Sequence, residues 1–355
     1  MPIESPDRRT QYAFPPLPVP PVLAPAKASL PVRILLAHRD RKSHWASFVA
    51  RRLLSHWRLL YRLSELAPGL TRQDSAIRFT LGRIDRVFTF DARYAVYRPF
   101  YLYPVYEPEL FLLLQHLAPQ IDRFFDVGAS VGMHSHCLAA NPDFHGRIDC
   151  FEPEPRTAEM LADLAGQLGT DERIAIHRLG LSDRTGSVQF ESPAATNDTS
   201  VVRVATGSKP GHGFEADVSR LDDLGMPPPT AIKIDVEGHE LQVIEGAEDT
   251  IRQGRPFIVF ESIYESDGTE AIVSRLRERG YALFFLELAG DGPGEPRLDL
   301  DPAWRSVRLV LNPYSTELRR ARRRTLNLFA CPAERFSQLR LEPFRASPET
   351  SASAH

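Results

Sequence analysis

The pattern of apolar and polar positions divides the chain into stretches of different period. Through its centre, short runs that are apolar almost throughout, "DRFFDVGA", "RIDCFEP", "RIAIHRLGLS", "AIKIDVE" and "RPFIVFES", follow one another. Between them lie "VGMHSHCLAA", "PRTAEMLADLAGQLG" and "HELQVIEGAEDTIRQG", which read as helices. Strands apolar on both faces alternating with helices predict an α/β, doubly wound, mostly parallel sheet. Gly169 and Gly254 stand where the second and third helices should stop, the latter followed by Pro256. Ligands in such sheets bind at the carboxyl ends of the strands, so the chemistry is expected there.

The flanks read differently. Nine of the thirty prolines fall in the first 31 residues, a composition that favours extended polyproline II and predicts an arm that is disordered or laid along the body. "HWASFVARRLLSHWRLLYRL", at 44–63, is a basic amphipathic helix with Trp45, Phe48, Leu53 and Trp57 at helical spacing. Its apolar face suits packing on the domain or on a second copy in a homo-oligomer; docking on a membrane surface or polyanion is the competing use. "RFTLGRIDRVFTFD" then changes to a period of two, a hairpin, and "YEPELFLLLQHLAP" predicts a helix entering the main domain. The expected division is an arm over 1–31, a helix-and-hairpin extension over 32–104, a main domain over 105–335 and a disordered tail over 336–355. The main domain would hold a hairpin insertion at 186–220, a long loop of the kind that carries substrate contacts.

With a net charge of -3 and 25% charged residues, the chain is not a polycation built for nucleic acid, and no nucleic-acid partner is expected. Cys137, Cys150 and Cys331 are far apart with no C-x-x-C pair, which suits a reducing compartment. The first residues show no basic stretch followed by an apolar run, and no window approaches the roughly 18 apolar residues of a membrane helix. The expectation is a cytoplasmic protein.

"FFDVGASVG" sets Asp126 at a strand end, then Gly128 and Gly132 on either side of a turn into a helix. Glycines there admit positive φ and let a ligand approach the backbone. The spacing lacks the G-x-G-x-x-G of dinucleotide folds, which argues against a nicotinamide oxidoreductase. The next strand ends at Glu152, whose carboxylate can accept from both hydroxyls of a ribose, and Pro153 fixes the turn. After the third strand, Ser182 and Asp183 are placed to meet an adenine edge, although Ser-Asp before Arg-Thr-Gly is also a good turn sequence.

"FFDVGASVG", "FEPEP", "GLSDRTG", "VSRLDDL" and "IKIDVEGHELQVIEGA" together resemble the FkbM-type methyltransferases over about residues 105 to 262, with weaker support to about 332. The resemblance implies a Rossmann-like class I methyltransferase fold with a seven-stranded sheet, its last strand antiparallel, and S-adenosyl-L-methionine as cofactor. It implies O-methylation of a hydroxyl on a sugar or other small metabolite, so the expected partner is a small-molecule acceptor such as a glycan or glycosylated metabolite. Carried over, Asp126, Gly128 and Gly132, with Ala129 and Ser130 between them, would face the methionine half of the cofactor, Glu152 its ribose and Asp183 its adenine. Ser130 departs from the asparagine frequent in the family. Glu107, beside Tyr106, joins the expected cofactor wall.

"AIKIDVEGHE" ends the fourth strand among Asp235, Glu237, His239 and Glu240. A hydroxyl nucleophile needs a general base, which makes His239 the candidate, with Glu237 orienting it or binding an acceptor hydroxyl and Asp235 holding the cofactor's ammonium or the substrate. Glu240 is assigned to the first turn of the next helix, stabilised by its dipole. All of them reading as helix N-terminal structure, or as divalent-metal ligands, stays open; no further metal ligand can be assigned. "HSH" at 134–136 is a weaker metal signal, since the two imidazoles would point apart on a helix. A nucleic-acid methyltransferase and a non-catalytic S-adenosylmethionine-binding protein remain the alternatives.

Overall fold

The computed structural model describes residues 7, 10–18, 23–27, 75–91, 94–97, 105–191, 203–204, 213–263, 268–290, 295–298, 300 and 304–344. The expected 44–63 helix, and with it the oligomer contact assigned to it, lies outside these residues. The chain begins with β1 (Tyr12–Ala13), β2 (Leu17–Pro18), β3 (Leu23–Lys27), β4 (Ser75–Leu81) and β5 (Ile84–Phe90). Then come α1 (Pro108–Leu117), β6 (Arg123–Val127), α2 (Met133–Ala140), β7 (Arg147–Phe151), α3 (Pro155–Leu168), β8 (Ile174–His177) and β9 (Gly180–Leu181). The insertion is β10 (Gly186–Glu191), β11 (Arg203–Val204) and β12 (Gly213–Ser219). The second half holds β13 (Ala231–Ile234), α4 (Glu240–Glu245), α5 (Glu248–Gly254), β14 (Phe257–Ser262), α6 (Gly268–Glu278) and β15 (Tyr281–Gly290). It closes with β16 (Ser306–Pro313), α7 (Thr316–Arg322), β17 (Leu326–Pro332) and β18 (Glu342–Pro343).

Seven central strands lie in the order β8-β7-β6-β13-β14-β17-β15. All are parallel except β17, which runs antiparallel to both neighbours. This is the class I methyltransferase order, 3-2-1-4-5-7-6 with the seventh strand reversed. The chain crosses from one half to the other between β6 and β13, the switch point at which open α/β sheets bind ligands.

Alternate residues of each strand enter opposite cores, which explains why the strands read as continuous apolar runs. Phe124, Ile148 and Val259 pack into one, and Phe125, Phe151 and Phe260 into the other. Truncating a phenylalanine as buried as Phe125 costs about 3–5 kcal/mol.

Several expectations need correction or refinement. The sheet has eleven strands, because β16 offers β15 a further antiparallel partner and β1, β2 and β18 follow it. Of the two forms expected for the arm, its described part takes the second, laid along the body: Tyr12, Ala13 and Phe14 precede the densest prolines, are buried, and pair with β16 through residues such as Leu311. The tail is ordered up to residue 344, with Phe336 and Leu339 buried. The helix expected over 239–254 breaks into α4 and α5 at Gly246, where a Cβ would lie 1.8 Å from Ser182 O. It ends with Arg255, not Gly254, in the left-handed conformation.

Two further sheets stand apart from the main one. The β4–β5 hairpin is held to α3 by Gln167 Oε1, which accepts from Thr89 N at 2.8 Å, and the insertion strands form a four-stranded sheet with β9. In "RRARRR", Arg319 is buried against Ser262 and Ile263 O, and Arg322 pairs with Glu287, so those two arginines bind the fold itself.

A candidate active site at the ends of the central strands

A cavity of about 350 Å³ opens at the carboxyl ends of β6, β7, β13 and β14. Gly128 has φ 73°, and a Cβ there would lie 1.8 Å from Asp235 O, so the loops after β6 and β13 touch only because the residue is glycine. Gly132 serves packing instead: its Cβ would meet Leu161 Cδ1 at 2.3 Å, and it is not on the cavity wall.

Ser130, left-handed at φ 52°, aims its N–H at Glu152 Oε2 (2.9 Å), while Glu154 N–H donates to Glu152 Oε1 (3.0 Å). Each carboxylate oxygen thus spends one acceptor position on the backbone and keeps another for the cavity. Burial lifts the Glu152 pKa to about 7, against the pull of those two N–H groups. Ala129, Ser130 and Pro153 line the cavity beside it.

Asp126 does not line the cavity. It lies beneath the loop, accepting from Ser135 Oγ at 2.6 Å and facing Lys233 Nζ at 3.4 Å. Lys233 also approaches Asp235 Oδ2 at 3.3 Å and donates to Gly128 O at 3.3 Å. Burial alone would lower its pKa, but Asp235 and Asp126 outweigh it and the net shift is upward. The sequence reading missed Lys233, whose one signal is a cation inside the buried "AIKI" strand.

Across the cavity, Glu107, left-handed at φ 42°, places Oε2 3.2 Å from His134 Nε2. Burial opposes ionisation of Glu107, yet His134, Lys233 and Asn327 prevail and its pKa falls. His136 points away and shares a hydrogen bond with Thr170 Oγ1 at 2.9 Å, so the two histidines of "HSH" diverge as a helix requires. Among the described residues, no group of three or more His, Cys, Asp or Glu side chains could hold a metal ion.

At the corner after β13, Asp235, Glu237 and His239 all line the cavity. Glu240 stays structural: its Oε1 accepts from Val236 N (3.2 Å) and Gly238 N (3.0 Å), closing the loop before α4. Ser182 and Asp183 stand behind His239 instead of on the wall. Ser182 Oγ is 2.9 Å from His239 Nε2 and donates to Asp183 Oδ1 at 3.0 Å. Burial lowers the His239 pKa, with Asp183 opposing. The insertion expected to carry substrate contacts supplies Phe190, Val204 and Val218 to the wall, and the end of β14 adds Glu261, which the sequence did not reveal.

Residues 126–283 match the family model described as the methyltransferase FkbM domain. The hexuronic acid methyltransferase AglP of Haloferax volcanii is 32% identical over 157 residues, covering 44% of this chain and 62% of that protein. The match thus spans less than two thirds of that relative. Among solved structures, the methyltransferase FkbM from Methylobacillus flagellatus KT aligns with TM-score 0.36 and 19% identity, over 53% of this chain and 43% of the other. The O-methyltransferase TomG from Streptomyces achromogenes aligns with TM-score 0.34 and 18% identity, over 61% and 85%. Over residues 126–283 the chain is thus similar to the FkbM methyltransferase domain.

Proposed function

We propose that this chain is an S-adenosylmethionine-dependent methyltransferase acting on a hydroxyl of a sugar or similar small acceptor. The observation that carries this reading is Glu152, a buried carboxylate pinned by Ser130 and Glu154 N–H beside a glycine turn, with acceptor capacity left toward the cavity. That is a fitting partner for the two hydroxyls of a ribose. The cradle at Gly128, which any Cβ would close, fits the same ligand. Bound there, S-adenosylmethionine supplies an electrophilic methyl group.

The chain's own residues divide the remaining work. Asp235 is suited to the cofactor's ammonium, and Glu237 to an acceptor hydroxyl. Ser182 has a single hydroxyl proton and gives it to Asp183, so His239 Nε2–H must donate to Ser182 Oγ. The neutral ring then carries its lone pair on Nδ1, the tautomer able to take a proton from an acceptor hydroxyl. The name of the Haloferax volcanii relative supports a sugar-type acceptor.

Incubation with methyl-labelled S-adenosylmethionine and a panel of neutral sugars, hexuronic acids and their glycosides, read by mass spectrometry, tests the reading. A labelled methyl ether on a sugar is expected. Label found only on nucleic acid or protein would contradict it.

A further inference from the structure

The end of the cavity away from Glu152 is rich in carboxylates, and one of them differs from the rest. Parallel pairing sets Ile234 opposite Phe260, so Asp235 and Glu261 follow as neighbours on adjacent strands, whose backbones lie about 4.8 Å apart. Asp235 has Lys233 at 3.3 Å, Glu107 has His134 at 3.2 Å, and Glu240 holds two backbone N–H groups. Glu261 lines the same wall, and among the described residues no hydrogen-bond donor or cation reaches its carboxylate.

The charged and titratable groups on the wall around Glu261 come from several elements. Asp235 and Lys233 belong to β13 and the residue after it, Glu237 and Glu240 to the next loop and α4, Tyr106 and Glu107 to the segment before α1, and His134 to α2. On β17 its backbone partner is Asn327, whose amide is turned to Glu109 at 3.3 Å. Burial, then Asp235, Glu237, Glu240 and Glu107, push the Glu261 pKa to about 9. At neutral pH it waits protonated for a positive charge.

We infer, resting on the methyltransferase reading above, that Glu261 distinguishes the methyl-bearing cofactor from its demethylated product by answering the fixed positive charge of a sulfonium. A sulfonium brought to this end of the cavity drives the Glu261 proton off and pairs with the carboxylate. A neutral thioether does neither, so the spent cofactor is held less tightly.

Isothermal titration near pH 7.5, in phosphate and in Tris, counts the protons released on binding. S-adenosylmethionine, S-adenosylhomocysteine and the cationic analogue sinefungin share the same adenosine, ammonium and carboxylate, so differences among them report charge at the reacting centre. The two cationic ligands should release at least about half a proton more than S-adenosylhomocysteine. Glu261→Gln imitates the protonated side chain and keeps the fold. It should abolish that difference, reduce the preference for S-adenosylmethionine about fivefold or more, and leave S-adenosylhomocysteine affinity within about twofold. Equal proton release by all three ligands in the unaltered protein, or a difference that survives in Glu261→Gln, overturns the inference while the methyltransferase reading stands. Binding of none of them overturns both.

Discussion

Lys233 and Asp126 form a buried ion pair, Nζ to Oδ1 3.4 Å, under the loop that Gly128 turns. Because the same ammonium reaches Asp235 and Gly128 O, one side chain ties the ends of β6 and β13 together across the switch point of the sheet. Lys233→Met removes the cation and strands two carboxylates. Such a loss typically costs about 3–5 kcal/mol, which urea unfolding should register as a lower midpoint.

A pair of glycines tests the close approach of the two loops. Gly128→Ala meets both a left-handed backbone and Asp235 O at 1.8 Å, and should destabilise by more than about 2 kcal/mol while weakening S-adenosylhomocysteine binding. Gly166→Ala, inside α3 with nothing within 4 Å of the new methyl, should stabilise by roughly 0.5–1 kcal/mol and leave binding untouched. Thermal unfolding of both variants decides.

Glu152 makes binding depend on pH. Ionised, it accepts from both ribose hydroxyls with full charge, whereas protonation turns one of its oxygens into a donor, and its pKa stands at about 7. Affinity for S-adenosylhomocysteine should rise between about pH 6 and 8, and Glu152→Ala should abolish that rise and raise Kd at least tenfold or so. Stability moves the other way. A carboxyl whose folded pKa is raised contributes fully below its unfolded value and loses that contribution as pH climbs through about 7.

His239→Gln keeps a donor for Ser182 Oγ but has no basic nitrogen. Cofactor binding should stay within about twofold, while methyl transfer falls by about 10²–10⁴. In the unaltered protein, the transfer rate should decline at pH values below the ordinary imidazole range, because burial holds the His239 pKa low. Turnover unchanged in His239→Gln would remove the residue from the chemistry.

The sheet was legible in the sequence because strands buried on both faces leave a strong local signal, as at Phe124 and Phe125. The glycine turn and Glu152 were legible because each directly follows such a strand. What the sequence hid depends on contacts between distant segments. Tyr12 finds β16 roughly three hundred residues away, and proline density in the arm could not say whether it was disordered or laid along the body. Asp126 has the right place in its motif but is claimed by Lys233, and Glu261 reaches the cavity only because β14 lies beside β13. The strand end suggested Ser182 and Asp183 for the adenine edge, and the resemblance implied the same for Asp183; their hydrogen bonds run to His239 and to each other.

The most direct measurement is a crystal structure with S-adenosylhomocysteine bound. Its ribose hydroxyls should fall within hydrogen-bond distance of Glu152, its homocysteine chain should lie along Gly128 and Ala129, and its sulfur should be directed at the corner of Asp235, Glu237 and Glu261. A ligand seated elsewhere, or a ribose with no contact to Glu152, would contradict the account.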